Sequence, residues 1–400
     1  MRGKIRKTEA PFQTYFPHLS TEDSGEQSSH HSAAVVASND DLLIEILIRL
    51  RVKPILRCKS VSKHWRWLLS NRCFTQRYDK FLKSPGLFVG EYMYEAFSFR
   101  NGYRSPVRNY NFCSDPRGIK IIQSCNGLLF CSSDGLYRGT RKYYVFNPTT
   151  KQFAIIPLVP GGLAVRQTIR FMGLAFHPTD CVHYKVVCVR ALEPDGGLFQ
   201  IQIYSSETRK WKISIESFSV DHKPTFKNGV YWNGAIHWAP SYRNLHMYFK
   251  LDVEQLQPLP LPEEMKSSPM LIMYFGESRG HLHLILNNHH EKHSMLDLNL
   301  NVYEMLSDHS GWFVKYHVEL YKLPRAFPEI VGPLDYDLEV IDVVRGQEEG
   351  EDTFMVLITP SEMIKYNIRN SRYKVIGPLD KSDFEGYSGY HRYIEALGYF

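Results

Sequence analysis

Phe146-Asn-Pro-Thr-Thr-Lys-Gln-Phe153 sets two bulky residues seven positions apart around a small polar turn. Turns of this composition join antiparallel strands, because Asn and Pro favour the turn dihedrals and the bulky residues pair across the ladder. The pattern recurs at Tyr204-Ser-Ser-Glu-Thr-Arg-Lys-Trp211, Leu296-Asp-Leu-Asn-Leu-Asn-Val-Tyr303 and Tyr366-Asn-Ile-Arg-Asn-Ser-Arg-Tyr373, with a weaker copy at Leu251-Asp-Val-Glu-Gln-Leu256. Its turn positions, 147, 205, 252, 297 and 367, are separated by 58, 47, 45 and 70 residues. Spacings near 45 residues suit β-propeller blades, each a four-stranded antiparallel sheet stacked on its neighbours. The expectation is a mainly β chain with six or seven blades, the long last interval holding an exposed acidic loop, Gln347-Glu-Glu-Gly-Glu-Asp352. A pair of irregular β-sandwiches is the alternative.

Upstream of Lys83 the texture is different. Ser38 can N-cap a helix with Asp41 three residues on, and Leu42, Leu43, Ile46, Leu47 and Leu50 follow at helical spacing. Pro54 suits the first turn of a second helix carrying Ile55, Leu56 and Cys58, and Ser62 caps a third in which Trp65, Leu68 and Leu69 share a face. This reading divides the chain into a mobile tail (1–37), a small three-helix module (38–83) and a β-repeat domain (84–400). A module of about forty residues buries little apolar surface, so it is expected to lean on a partner. The segment 40–83 holds eleven Lys/Arg against four Asp/Glu, a net +7 in a chain whose formal charge is +6. An acidic partner would be steered to it.

No apolar run reaches the length of a membrane span, and the N-terminus shows no apolar signal core. Seven cysteines without Cys-x-x-Cys spacing suit a reducing compartment with free thiols. Cytoplasm or nucleus is therefore expected, with the basic start Arg2, Lys4, Arg6 and Lys7 as a candidate nuclear address.

Chemistry is sparse. The Gly-rich phosphate loop, the Gly-x-Ser-x-Gly elbow and the His-Glu-x-x-His metal helix do not occur, so no catalytic residue, metal ligand or cofactor is assigned. His281 and His283 would share one side of a strand, with His289, His290 and His293 beyond it, but loop histidines are commonly solvated. Cys125 and Cys131 read as small buried hydrophobes, and Trp211, Trp232, Trp238 and Trp312 as packing within and between blades. Nucleic-acid binding by the basic segment is set aside because apolar residues fill a whole helical face there. A propeller enzyme is the other class weighed, and it lacks paired catalytic residues.

Asp40-Asp-Leu-Leu-Ile-Glu-Ile-Leu-Ile-Arg-Leu50, Val52-Lys-Pro-Ile-Leu-Arg57 and Ser60-Val-Ser-Lys-His-Trp-Arg66 together resemble the F-box. The β-region resembles the F-box-associated, kelch-like domain of plant F-box proteins. The residues that carry this are Ser124-Cys-Asn-Gly-Leu-Leu129, Asn147-Pro-Thr-Thr-Lys151, Gly173-Leu-Ala-Phe-His-Pro178 with Tyr184-Lys-Val-Val187, and Gly229-Val-Tyr-Trp-Asn-Gly-Ala-Ile-His-Trp238. The resemblance implies a non-catalytic substrate receptor of a Skp/cullin/F-box ubiquitin ligase: the F-box grips a Skp-type adaptor, and through it cullin, and the β-domain binds a target protein. A stand-alone protein-binding propeller is the alternative. Carried over by position, the adaptor contact or its support falls on Leu42, Leu43, Ile46, Leu47, Leu50, Pro54, Ile55, Leu56, Val61, Trp65 and Leu68. Ser38-Asn39 stands where the family has Leu-Pro, and Arg51 where it often has Pro. Candidate recognition loops are Val159 to Gln167, Glu193 to Phe199, Ser241 to His246, Asn287 to His293 and Gly346 to Asp352.

Overall fold

The computed structural model describes residues 35–36, 38–80, 86–90, 94–99, 104–107, 119–133, 141–161, 165–193, 196–220, 226, 229–240, 246–267, 270–287, 298–332, 337–346, 353–378 and 389–397. The expected tail lies almost wholly outside them. Contacts divide the chain into two compact units, residues 1–49 and 50–400.

In the first unit, helix α1 (Asp40–Leu47) begins at Asn39, whose side chain accepts from the amides of Asp41 and Leu42. Ser38 is therefore not the cap. Its hydroxyl donates to the carbonyl of Val35, and the extended residue that ends the orphan amides is the next one along.

The second unit opens with α2 (Val52–Cys58), α3 (Lys63–Ser70) and α4 (Arg72–Lys80). Ser62 caps α3 as expected, accepting from the amide of Trp65 at 3.0 Å. The helix α4 was not anticipated. It packs on α3, buries Phe74 and Tyr78, and is tied back by the Tyr78 hydroxyl to the carbonyl of Leu50 (3.0 Å).

The strands follow as β1 (Gly86–Gly90), β2 (Tyr94–Ser98), β3 (Arg104–Val107), β4 (Lys120–Cys125), β5 (Leu128–Ser133), β6 (Lys142–Asn147), β7 (Gln152–Ile156) and β8 (Ile169–His177). Next come β9 (Cys181–Ala191), β10 (Leu198–Ser205), β11 (Lys210–Ser219), β12 (Val230–Trp232), β13 (Ala235–His237), β14 (Met247–Lys250), β15 (Gln255–Pro258) and β16 (Leu271–Ser278). The last are β17 (His281–Asn287), β18 (Asn299–Met305), β19 (Trp312–Glu319), β20 (Glu339–Val344), β21 (Phe354–Ile358), β22 (Glu362–Asn367), β23 (Tyr373–Pro378) and β24 (Gly389–Tyr393).

Among the described residues they form six four-stranded antiparallel sheets in a propeller-like arrangement. Five are simple meanders, β4 to β7, β8 to β11, β12 to β15, β16 to β19 and β20 to β23; the sixth has the order β24-β1-β2-β3. The last strand thus completes the first sheet, with Gly86 opposite Tyr393 and Gly90 opposite Gly389. The first strands of successive meanders touch: β24 meets β4, β4 meets β8, β8 meets β12, β12 meets β16 and β16 meets β20. These strands surround a channel.

Two kinds of turn close one end of the sheets. Asn126-Gly127, Asn233-Gly234 and Arg279-Gly280 all have positive φ at both positions, the type I′ geometry that matches strand twist and that only Gly and a few polar residues tolerate. The third and fourth strands of the meanders are joined by longer turns at 148–151, 206–209, 251–254, 306–311 and 368–372. Asn147 and Asn367 hold theirs by accepting two amides each on Oδ1. The repeat placed at 297 is corrected: 299–305 is strand β18, and the equivalent turn lies beyond it at 306–311. A bulky residue on either side of polar residues also describes a strand with alternating faces, and Leu300 and Val302 are buried there while Asn299 and Asn301 are not.

The core lies between sheets. Trp238 is fully buried and meets Phe171 edge-on at 5.6 Å. Trp211 and Trp312, on outer strands, donate their indole N–H to the carbonyls of Pro157 (2.9 Å) and Pro260 (2.8 Å), each in the connection that leads into the sheet to which the tryptophan belongs. Cys125 and Cys131 are buried and free, and burial pushes both thiols up. No described helix is long and apolar enough to cross a membrane.

Candidate functional site

The channel is lined by residues that a repeated irregularity aims inward. The register slips between Ile121 and Gln123, Ile169 and Phe171, Ile272 and Tyr274, and Val340 and Asp342, a bulge at the same place in four of the channel strands. A bulge inserts one residue and re-aims its neighbours, and Gln123, Phe171, Tyr274 and Asp342 all face the channel. Gln123 exchanges two hydrogen bonds with the backbone of Leu174 on the next strand (3.2 and 2.7 Å). The ring of Phe171 lies where a Cβ on Gly173 or Gly229 would stand, so both positions admit only glycine without rearrangement.

Arg392 of β24 is the centre of the charged part. Its Nε donates to Asp342 Oδ2 (2.9 Å) and its Nη2 to Asp342 Oδ1, while Nη1 reaches the carbonyl of Glu277 (2.6 Å) and Nη2 that of Val343 (2.8 Å). The Tyr274 hydroxyl donates to Asp342 Oδ1 at 3.1 Å. Burial raises the Glu277 carboxyl, against the pull of Arg392 and of the Gly280 amide, which donates to it at 2.6 Å. The guanidinium therefore bonds strands β20 and β16 to the strand that closes the first sheet. These groups satisfy one another, and the arrangement does the work of a bolt.

A second buried network surrounds Glu304. His281 Nδ1 lies 2.9 Å from its Oε1, Arg345 Nη1 donates to its Oε2 at 2.7 Å, and His283 Nε2 stands 3.7 Å from the same oxygen. Burial alone would raise Glu304, but His281 and Arg345 outweigh it and hold the carboxyl down at about 2. Burial pushes His283 down to about 3. His281 and His283 do share a strand side, and Glu304 is what they face; His289, His290 and His293 lie outside the described residues. Among the described residues no three His, Cys, Asp or Glu side chains are placed to hold a metal.

In the helical segment the surface is apolar instead. On α1, Leu43 and Leu47 are buried, whereas Leu42 and Ile46, one turn apart on another face, are 46% and 48% exposed. In the second unit, Ile55 and Leu68 are buried, Leu50, Leu56 and Trp65 are half-buried, and Pro54 and Val61 are exposed. Trp67, absent from the sequence expectation, is 61% exposed and stacks on His64 at 6.3 Å.

Residues 93–312 match the description F-box associated beta propeller domain, more than half of the chain. An F-box protein of Arabidopsis thaliana is 32% identical over 380 residues, covering 86% of this chain and 87% of its own. This chain belongs to the plant F-box proteins with an F-box-associated β-propeller domain. A second Arabidopsis thaliana F-box protein is 30% identical over 270 residues (62% of this chain, 71% of that one), and an F-box/kelch-repeat protein from the same plant is 27% identical over 271 residues (59% and 61%).

Within this family frame the strand directions sort the five candidate loops. The described ends of β7, β9, β13 and β17 lie at one end of the channel, the loop end, whereas β20 ends at the other, with the type I′ turns; residues 347–352 of the acidic stretch lie outside the described residues. Helix α4 joins the strands at that turn end: it finishes at Lys80, β1 starts at Gly86 opposite Tyr393, and five intervening residues can span at most roughly 18 Å. Four of the five candidate loops are therefore anchored at the opposite end from the α4–β1 connection. The Arg392 bolt and Trp67 were both missed, the first because a lone Arg near a chain end carries no local pattern, the second because Trp65 and Leu68 already accounted for a helical face.

Proposed function

We propose that this chain is the non-catalytic substrate-recognition subunit of a Skp/cullin/F-box ubiquitin ligase. Segment 38–83 would dock a Skp-type adaptor and, through it, cullin, and domain 84–400, with each of its six sheets as one blade, would hold a target protein for ubiquitin transfer. The observation that carries the reading is the exposed pair Leu42 and Ile46 on a helix that buries Leu43 and Leu47 and half-buries Ile44, in a chain of this family. Exposed leucine and isoleucine one turn apart make a ready knob for an apolar partner groove. Pro54 and Val61 would extend the contact, Leu43, Leu47, Ile55 and Leu68 would support it from within, and Leu50, Leu56 and Trp65 lie between the two roles. The target would be taken at the loop end. Cytoplasm or nucleus is the proposed place of action.

Co-purification of the full chain with a plant Skp-type adaptor tests this. The wild type is expected to retain the adaptor, and the double variant Leu42→Asp/Ile46→Asp to lose it at least tenfold while its circular dichroism is unchanged. A wild type that retains no adaptor would sink the ligase reading and leave a stand-alone binding propeller, consistent with Ser38-Asn39 in place of the family's Leu-Pro.

A further inference from the structure

At the turn end lies a groove of about 710 Å³ that neither the adaptor contact nor the target loops use. Its floor is aromatic, with Phe176, Tyr184 and Tyr204 buried beneath it. One wall is β7, the outermost strand of its sheet, paired among the described residues on one edge only, with β6. Phe153 and Ile155 stand on that strand two positions apart, 42% and 56% exposed, so their side chains share one face. An outer strand with exposed apolar side chains and an unpaired edge is a template for one more strand unless something blunts it.

The charge of the groove is one-sided. Arg72 of α4 and Arg209 of the turn after β10 line it together with His183, and none of the lining residues is Asp or Glu. Among the described residues neither guanidinium meets a carboxylate, whereas Arg49, Arg345 and Arg392 each sit on one. Arg209 is presented by a fixed turn: its amide donates to the Ser205 carbonyl at 2.8 Å and its φ is 56°. Two uncompensated guanidinium groups beside an apolar strand edge favour a ligand with carboxylates spaced along an extended backbone, because the charge-assisted bonds would replace water on both arginines.

We propose that this groove docks an extended acidic segment of a partner protein, added alongside β7, with carboxylates on Arg72 and Arg209 and an apolar side chain between them against Phe153 and Ile155. The surface is separate from the adaptor contact, and its test needs no adaptor. The full chain is titrated against a fluorescein-labelled peptide of alternating glutamates, leucine and phenylalanine, and against the same peptide with glutamine for glutamate, by fluorescence polarisation at physiological salt. The acidic peptide is expected to bind at least tenfold more tightly than the glutamine peptide. Arg72→Glu and Arg209→Glu are each expected to weaken it tenfold or more, and Arg325→Glu, an exposed arginine outside the groove, to leave it unchanged. Both groove residues are exposed, so unchanged unfolding midpoints are expected. Absence of binding, equal binding of the two peptides, or an equal loss in all three variants would overturn the proposal, the last because it would mean attraction to net positive charge alone.

Discussion

Within the sheets, buried charge is matched: Arg392 with Asp342 at the channel, and Glu304 with the half-buried His281 and Arg345 away from it. In the helical segment the reverse holds, because apolar side chains such as Ile46, Val61 and Trp67 stand in water while the basic ones around them stay solvated. A side chain held against its own preference needs a reason. For the channel the reason is inside the molecule, since the ion pairs fix which strand closes the first sheet. For the helices the proposed reason lies outside, in a partner. The same chemistry thus separates residues kept for folding from residues kept for binding, and it does so better than exposure alone.

The sharpest way to break the comparison is to remove the bolt. Arg392→Met should cost about 3–5 kcal/mol in urea unfolding, the usual penalty for stranding one buried charge, and pairing it with Asp342→Leu should recover much of that loss. Leu42→Asp/Ile46→Asp, by contrast, should leave the unfolding free energy within about 0.5 kcal/mol.

Acid should act on the interior alone. His237 and His283 are fully buried; burial lowers both to about 3, with His309 adding to the effect at His237 and Glu304 opposing it at His283. A base with a depressed folded pKa contributes stability that is full above its unfolded value and falls as the unfolded chain takes up the proton below about 6.5. Between pH 6.5 and pH 5 each should remove about 2 kcal/mol, read as a falling urea midpoint. Glu304 has the opposite timing. Its contribution persists down to its ordinary range near 4.5 and is lost only as pH falls toward about 2, so the slope between pH 6.5 and 5 belongs to the histidines.

A pair of glycines sharpens the picture of closure. Gly280→Ala meets open space and should cost only the strain of its positive φ, about 1 kcal/mol, whereas Gly127→Ala would also drive a Cβ into Ala396 in the segment after β24 and should cost more. The difference in denaturant midpoint measures how firmly that segment is strapped down. Smallest of all, Trp67→Ala should shift stability by under about 0.5 kcal/mol and still weaken adaptor retention, since an exposed aromatic carries binding and little folding.

Much of this could be read from sequence where physics is local. The Asn-Gly turns, the Ser62 cap and the polar turns at 147, 205, 252 and 367 depend on a few adjacent residues, and their chemistry is visible in any window that contains them. The misplaced repeat at 297 shows the limit, because alternating polar and apolar residues look alike in a turn and in a strand that is half in water. Long-range pairing left no trace: Asp342 and Arg392 are fifty residues apart, and the bulges that aim Gln123, Tyr274 and Asp342 inward arise from sheet register. Which of the apolar residues proposed for the adaptor contact face out depends on what the rest of the chain buries.

The pairing of β24 with β1 has a consequence for how the protein is made. A ribosome delivers β1 some three hundred residues before its partner, so the first sheet stays one strand short until β24 emerges. Throughout that time its edge is open to any passing strand. A chain released before β24 was made would have nearly all its sheets in place, no bolt, and a permanent sticky edge, a product for the cell's quality control to collect.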